Sequence, residues 1–358
     1  MKAWRVQRLG EPSEVLHLAD VDLPEPGPGQ VVVRVLASAA NFPDVLMCRG
    51  LYQVRPELPF TPGVELCGEV TALGEGVAGL SVGDRVLGGA VLPYGGFGEY
   101  AVMAAAETFP APESLDDAQA SSLFIGYQTG WFGLHRRARI QPGETLLVHA
   151  AAGGVGSAAI QLGKAAGAKV IGVVGGSAKA GVARALGADV VVDRHAEDFV
   201  EVVKSETGGR GADVIYDPVG GDTYLRSTKC IAFEGRILVI GFAGGTITET
   251  ALNHALIKNY SVVGLHWGLY NRYAPDLVRE CHAELTALAD SGAIAPLVSE
   301  RLPLEEIPDG LQRLADGNTV GRVAYQATPS GLTGRSARSR TPESRTSESS
   351  TSSKERTL

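Results

Sequence analysis

The stretch Val148-His149-Ala150-Ala151-Ala152-Gly153-Gly154-Val155-Gly156-Ser157-Ala158 carries more structural information than any other in this 358-residue chain. The apolar residues that lead into it, Thr145–His149, read as a buried strand, and the sequence after it reads as a helix running to about Gly167. Glycines between the two permit a tight turn and let backbone approach an anion closely. The helix start offers unpaired N–H groups at the positive end of its dipole. Gly-rich turns between strand and helix are common, so the meaning comes from context: a second strand follows directly at Lys169.

On the C-terminal side the alternation continues. Lys169–Val174, Ala212–Tyr216, Arg236–Gly241 and Tyr260–Leu265 are strand-like, with helical sequence between most of them. That spacing predicts βαβ units and a parallel sheet covered on both faces. On the N-terminal side, Met1 to about Ser121 reads as short strands between Gly/Pro turns. Val31–Leu36 is β-rich, Val64, Leu66, Gly68 and Val70 alternate with Glu65, Cys67 and Glu69, and Gly83-Asp84-Arg85-Val86 is a turn into another strand. A compact β-barrel-like part is expected there. Ser114, with Asp117 three residues on, resembles a capping box opening a helix. Beyond His266 the pattern predicts helices over Pro275–Ser291 and Leu304–Asp316 and a last strand near Gly321–Tyr325. From Ala327 to Leu358 the chain is rich in Ser, Thr, Arg and Glu and almost free of apolar residues, so it is expected to be disordered.

Composition excludes several functions. A net charge of −8, with no basic face outside the tail, argues against binding a nucleic-acid backbone. The four cysteines are scattered, which argues against a disulfide framework and for a reducing cytoplasm. No run approaches the roughly 20 apolar residues of a membrane span, and Met1-Lys2-Ala3-Trp4-Arg5 leads into strand-like sequence, so no leader is expected.

The turn Ala152, Gly153, Gly154, Val155 and Gly156 is therefore read as the pyrophosphate site of a dinucleotide. A site for NAD usually ends its second strand with Asp or Glu to hold the ribose 2′-OH. Here that place holds Val174-Gly175-Gly176-Ser177, with Lys179 close behind and Arg194 before the third strand. Gly175 and Ser177 leave room for a 2′-phosphate and the two cations can pair with it, which favours NADPH. Each cation also reads as an ordinary solvated residue.

At this point the chain resembles a known family. Ala37-Ser38-Ala39-Ala40-Asn41-Phe42-Pro43-Asp44, Pro62-Gly63-Val64-Glu65-Leu66-Cys67-Gly68, Gly83–Val86, the Ala150–Gly156 turn, Gln161–Gly167 and Tyr216-Asp217-Pro218-Val219-Gly220 are similar to the zinc-independent quinone oxidoreductase branch of the medium-chain dehydrogenase/reductase superfamily. The resemblance implies an α/β chain with a GroES-like β-barrel substrate domain (1–121 and 267–326) and a Rossmann doubly wound parallel sheet binding NADPH (122–266). The remaining tail is 327–358. The zinc branch of that superfamily carries Cys where this chain has Asn41 and His where it has Val64, so no metal is expected.

The resemblance further implies that Asn41 and Thr129 lie near the nicotinamide and its phosphates, and that Lys179 contacts the 2′-phosphate. Arg194 stands where several relatives use a Tyr. Gly241 and Phe242, ending the Arg236–Gly241 strand, belong to the same expected cofactor site. Tyr52, in Arg49-Gly50-Leu51-Tyr52, lies in a segment similar to one holding a proton-donating Tyr in enoyl-thioester reductases; it also reads as a packed loop residue. Asn41 and Tyr52 are thus the expected catalytic pair. Leu46 stands where some quinone oxidoreductases have a Tyr. Leu265-His266-Trp267-Gly268-Leu269-Tyr270 could line a flat pocket or pack a domain junction, and His135 and His149 read as structural, with no nearby Ser or Cys arrangement that suggests a nucleophile.

The expected activity is hydride transfer from NADPH to a quinone, enone or enal. The alternatives are a 2-enoyl-thioester reductase and a non-catalytic NADPH-binding protein. A small-molecule substrate and a homodimer joined at the edge strand Tyr260–Leu265 complete the expectation.

Overall fold

Three β-branched residues in a row, Val31-Val32-Val33, suit a pleated strand packed on both faces, and they lie in the longest-paired strand of the N-terminal part. A computed structural model describes residues 1–328, within which Met1–Ala327 form one compact unit. The expected disorder of 327–358 lies almost wholly outside the described residues.

β1 (Lys2–Val6) and β2 (Leu16–Asp20) make a small antiparallel ribbon. β3 (Gln30–Ala39), β4 (Glu65–Leu73), β5 (Arg85–Ala90) and β6 (Tyr100–Pro110) form an antiparallel meander. β3 also pairs with β6, which closes the four into a barrel and leaves none of them as an unpaired edge.

β7 (Thr145–Val148), β8 (Lys169–Val174), β9 (Val190–Asp193), β10 (Ala212–Asp217), β11 (Ile231–Val239) and β12 (Ser261–Gly264) make a parallel sheet. Its order is β12-β11-β10-β7-β8-β9, the doubly wound order whose reversal point lies between β7 and β10. The helix Gly154–Ala165 packs on it closely: a Cβ at Gly163 would come within 2.5 Å of Leu146 Cδ2. At the far edge β12 is mostly exposed, with Val262 40% accessible, and beside it the helix Leu252–Lys258 buries no residue.

The chain then returns to the barrel. β13 (Val298–Leu302) runs parallel to β14 (Arg322–Gln326), and β14 adds antiparallel to β3. The barrel sheet is therefore built from both ends of the described chain. In the intervening segment Trp267 stands edge-on to Phe124 at 5.1 Å and Tyr270 stacks on Phe132 at 4.1 Å, so these two aromatics pack a junction. Asn271 Nδ2 donates to Glu107 Oε2 at 2.7 Å, tying that segment to β6.

Two expectations are corrected. The helix near Ser114 starts later: Asp116 caps the helix Asp117–Ser121 and exchanges hydrogen bonds with Gln119, while Ser114 Oγ donates to Asp290. Asp116 wins because a carboxylate at the cap accepts from the third N–H directly. His149 does have a serine neighbour, since its Nε2 lies 2.8 Å from Ser227 Oγ. That contact spans 78 residues and was invisible in local sequence. Both side chains are buried, so the pair is structural. Among the described residues no helix is long and apolar enough to cross a membrane.

Candidate active site

The Gly-rich turn adopts the conformation its composition allows. Ala150 takes φ +48° and accepts from Gly153 N–H at 2.8 Å. A Cβ on Gly156 would collide with Ala150 O at 2.2 Å, so only glycine fits there. Gly153 caps the helix with no side-chain acceptor, which leaves the first-turn N–H groups of Gly154, Val155 and Gly156 open to an anion. Gly321 N–H donates to Ala152 O at 2.7 Å, so the segment before β14 closes one side of the turn.

At the end of β8, a Cβ on Gly175 would sit 3.2 Å from both Nε and Nη2 of Arg194. The structure therefore brings Gly175 and Arg194 together although 19 residues separate them. Both lie at carboxyl ends of adjacent strands, with Ser177 opening the helix Ser177–Ala185 between them. Lys179, early in that helix, donates through Nζ to Gly317 O at 3.0 Å, so its ammonium is turned toward the C-terminal segment.

The barrel presents a buried polar cluster to the same turn. Asn41 Nδ2 donates to Ala39 O and Glu65 Oε1, each at 3.0 Å, and Asn41 Oδ1 accepts from Arg322 Nη2 at 2.9 Å. Glu65 also ion-pairs with Arg322 and accepts from Ile125 N–H at 2.7 Å. Arg322 in turn lies over the phosphate turn, since a Cβ on Gly154 would meet its Nη1 at 2.8 Å. Asp44 accepts from the N–H groups of Asn41, Gly63 and Val64. Burial pushes the Asp44 carboxyl up to about 6, against those N–H donors and the Arg322 charge. Burial likewise pulls the Arg322 guanidinium down to about 10, against Asp44. The amide of Asn41 is thus committed to internal partners.

Sequence reasoning missed Arg322, because its place next to Asn41 exists only through the pairing of β14 with β3. Glu65 appeared as one member of an alternating strand, whereas it is fully buried. An acidic residue among apolar neighbours was the available signal.

Tyr52 is half-buried on the barrel core. Burial raises its phenol above the ordinary value, and the Asp44 charge adds to this, which keeps the hydroxyl protonated. Thr129 turns its hydroxyl back onto Ile125 O at 2.6 Å, within its own helix. Gly241 and Phe242 border a small cavity of about 80 Å³ whose walls include Asp217, Tyr224 and Thr250. Among the described residues no three His, Cys, Asp or Glu side chains converge as a metal requires. At the barrel end Val64 offers no donor atom.

Two family models match, "Alcohol dehydrogenase GroES-like domain" over residues 27–113 and "Zinc-binding dehydrogenase" over residues 154–283. The quinone oxidoreductase-like protein 2 homolog of Nematostella vectensis is 40% identical over 299 residues, covering 83% of this chain and 81% of that protein. A probable oxidoreductase from Mycobacterium abscessus superposes with a TM-score of 0.82 at 40% identity, over 91% of this chain and 98% of that one. The Escherichia coli quinone oxidoreductase complexed with NADPH superposes with a TM-score of 0.84 at 32% identity, over 91% and 100%. With both halves of its fold and its motifs accounted for, the chain belongs to the quinone oxidoreductase branch of the medium-chain dehydrogenase/reductase superfamily.

Proposed function

We propose that the chain is an NADPH-dependent, zinc-independent reductase of quinones or other conjugated carbonyls such as enones and enals. The observation that carries this reading is the convergence of the open helix N-terminus at Gly154 with the Asn41–Arg322 cluster of the barrel. One wall of a cleft then holds a pyrophosphate and the other holds the reacting groups. NADPH, when bound, supplies the hydride; everything else is the protein's task.

Gly153–Gly156 bind the pyrophosphate through backbone N–H groups. Gly175, Ser177, Arg194 and Lys179 accommodate the 2′-phosphate, with Lys179 released from Gly317 to reach it. Gly241 and Phe242 would help to hold the nicotinamide end. Asn41, held by Glu65 and Arg322, and Thr129 position the ring without donating to substrate. Tyr52 Oη, kept protonated by burial, would supply the proton that the reduced acceptor oxygen needs. Asn41 and Val64, in place of Cys and His, remove the donor set that a catalytic zinc needs.

The test is NADPH oxidation by the full chain against a panel of quinones, enals, enones and enoyl-CoA esters, with elemental analysis of the same sample. Rapid turnover of quinones or enones with no zinc is expected. Preference for enoyl-CoA would favour the thioester reading. Tight NADPH binding with no oxidation of any acceptor would favour a non-catalytic role, and one zinc per chain would overturn zinc independence.

A further inference from the structure

We infer that His195 is a proton-dependent third ligand for the cofactor's 2′-phosphate, so that the preference for the phosphorylated dinucleotide strengthens as pH falls. This rests on the NADPH reading above and deepens it.

The observation is the shape of the corner beyond β8. The position that a Gly175 side chain would occupy is bounded by the Arg194 guanidinium at 3.2 Å and by His195 Cε1 at 3.3 Å. A guanidinium and an imidazole, consecutive in sequence, thus wall the same space. The imidazole is 64% exposed and its Nδ1 lies 3.9 Å from Asp193 Oδ1. Asp193 is pinned below by Gly176 N–H at 2.9 Å and His195 N–H at 3.1 Å. Those two bonds hold the Asp193 carboxyl below its ordinary value, helped by the His195 and Arg194 charges, so it stays ionised.

The charge count then turns on one proton. Asp193 cancels Arg194 when the imidazole is neutral, and the corner gains a full positive charge when it is protonated. The other charged groups at this corner are Lys179, four residues beyond Gly175, and Glu197 in the turn after β9. A protonated imidazole makes a charge-assisted hydrogen bond to a phosphate that the neutral ring does not match. Binding the phosphate favours the charged ring, and proton uptake therefore accompanies binding.

The experiment measures dissociation constants of the full chain for the acid-stable forms NADP⁺ and NAD⁺ between about pH 6 and about pH 8. Wild type, His195→Gln and His195→Arg are compared through the ratio of NAD⁺ to NADP⁺ dissociation constants. Protonation of the phosphate itself is common to all three proteins and cancels between them. Relative to His195→Gln, the wild-type ratio should be nearly equal at the alkaline end and about twofold to fivefold higher at the acid end, the range of an exposed ion pair. His195→Arg should keep the higher ratio throughout. Superimposed curves for wild type and His195→Gln, with a large ratio in both, would overturn the role of His195 and leave the NADPH reading standing. A ratio near one in every protein at every pH would overturn both.

Discussion

Arg322 Nη2 donates to Asn41 Oδ1 at 2.9 Å and joins two residues 281 positions apart. Arg322 is 6% exposed and also pairs with Glu65, which is wholly buried. Removing one member strands a charge. Arg322→Met should therefore lower stability by about 3–5 kcal/mol, the usual cost of breaking a buried pair. Glu65→Gln combined with Arg322→Met should recover part of it, because no bare carboxylate is left. Chemical denaturation checks both, and a loss under about 1 kcal/mol for the single variant would mean that solvent reaches Glu65.

Gly175→Asp should invert the cofactor preference. The new carboxylate would lie against Arg194 and His195, whose flexible ends can move aside from the 3.2–3.3 Å contacts. It would then occupy the phosphate space and hold a ribose hydroxyl instead. NADPH affinity should fall by about tenfold or more while NADH affinity holds or improves. Arg194→Ala should lose NADPH affinity alone, by about tenfold for this exposed cation. Equal losses for both dinucleotides would point to a damaged fold, and calorimetric titration separates the cases.

His149 predicts acid lability. Burial, with a smaller contribution from the Arg226 charge, pulls its imidazole down to about 3, whereas an unfolded histidine titrates near 6.5. The folded-state value is depressed, so below 6.5 the unfolded chain takes up a proton that the folded chain refuses. Stability is fully present above that value and falls by about 1.4 kcal/mol per pH unit as pH drops toward 3. In His149→Gln the loss of the Ser227 contact should cost stability at neutral pH while flattening the decline between about pH 6 and about pH 4. Parallel declines in urea-denaturation series would remove His149 as the cause.

The edge of the parallel sheet predicts association. Among the described residues no strand pairs with the outer flank of β12, and Leu252, Leu256 and Ile257 on the neighbouring helix are 74–79% exposed. Pairing β12 with its copy satisfies the edge and covers that apolar surface. Light scattering at micromolar concentration should give a dimer for wild type and a monomer for Val262→Lys. A monomeric wild type would dispose of the idea.

How far the sequence could be read depended on the range of the interactions. Five of the six parallel strands were legible as local apolar runs, with Lys169–Val174 at its true limits, but the four-residue β9 (Val190–Asp193) was missed, so Arg194 follows the third strand where the sequence had placed it before. The turn at Gly153–Gly156 was legible because its glycines answer steric demands a few residues away. Arg322 and the burial of Glu65 were not, since they arise from β3, β4 and β14 meeting across the fold. The Gly175–Arg194 contact lies between: its chemistry was readable by counting residues, but the presence of His195 at the same corner needed the register of β8 against β9.

The pairing of β14 with β3 has a consequence for how the chain is made. Protein synthesis delivers the barrel strands β3 to β6 early, and all of the parallel sheet follows before β14 leaves the ribosome. Throughout that time the nascent barrel lacks its added strand, and Glu65 and Asn41 face no guanidinium. The part of the barrel that is translated first is thus finished by a strand translated after the whole parallel sheet. A product released before Arg322 would carry a whole parallel sheet beside an unfinished barrel, so the cell's quality control would meet an apolar edge and a stranded carboxylate in the same molecule.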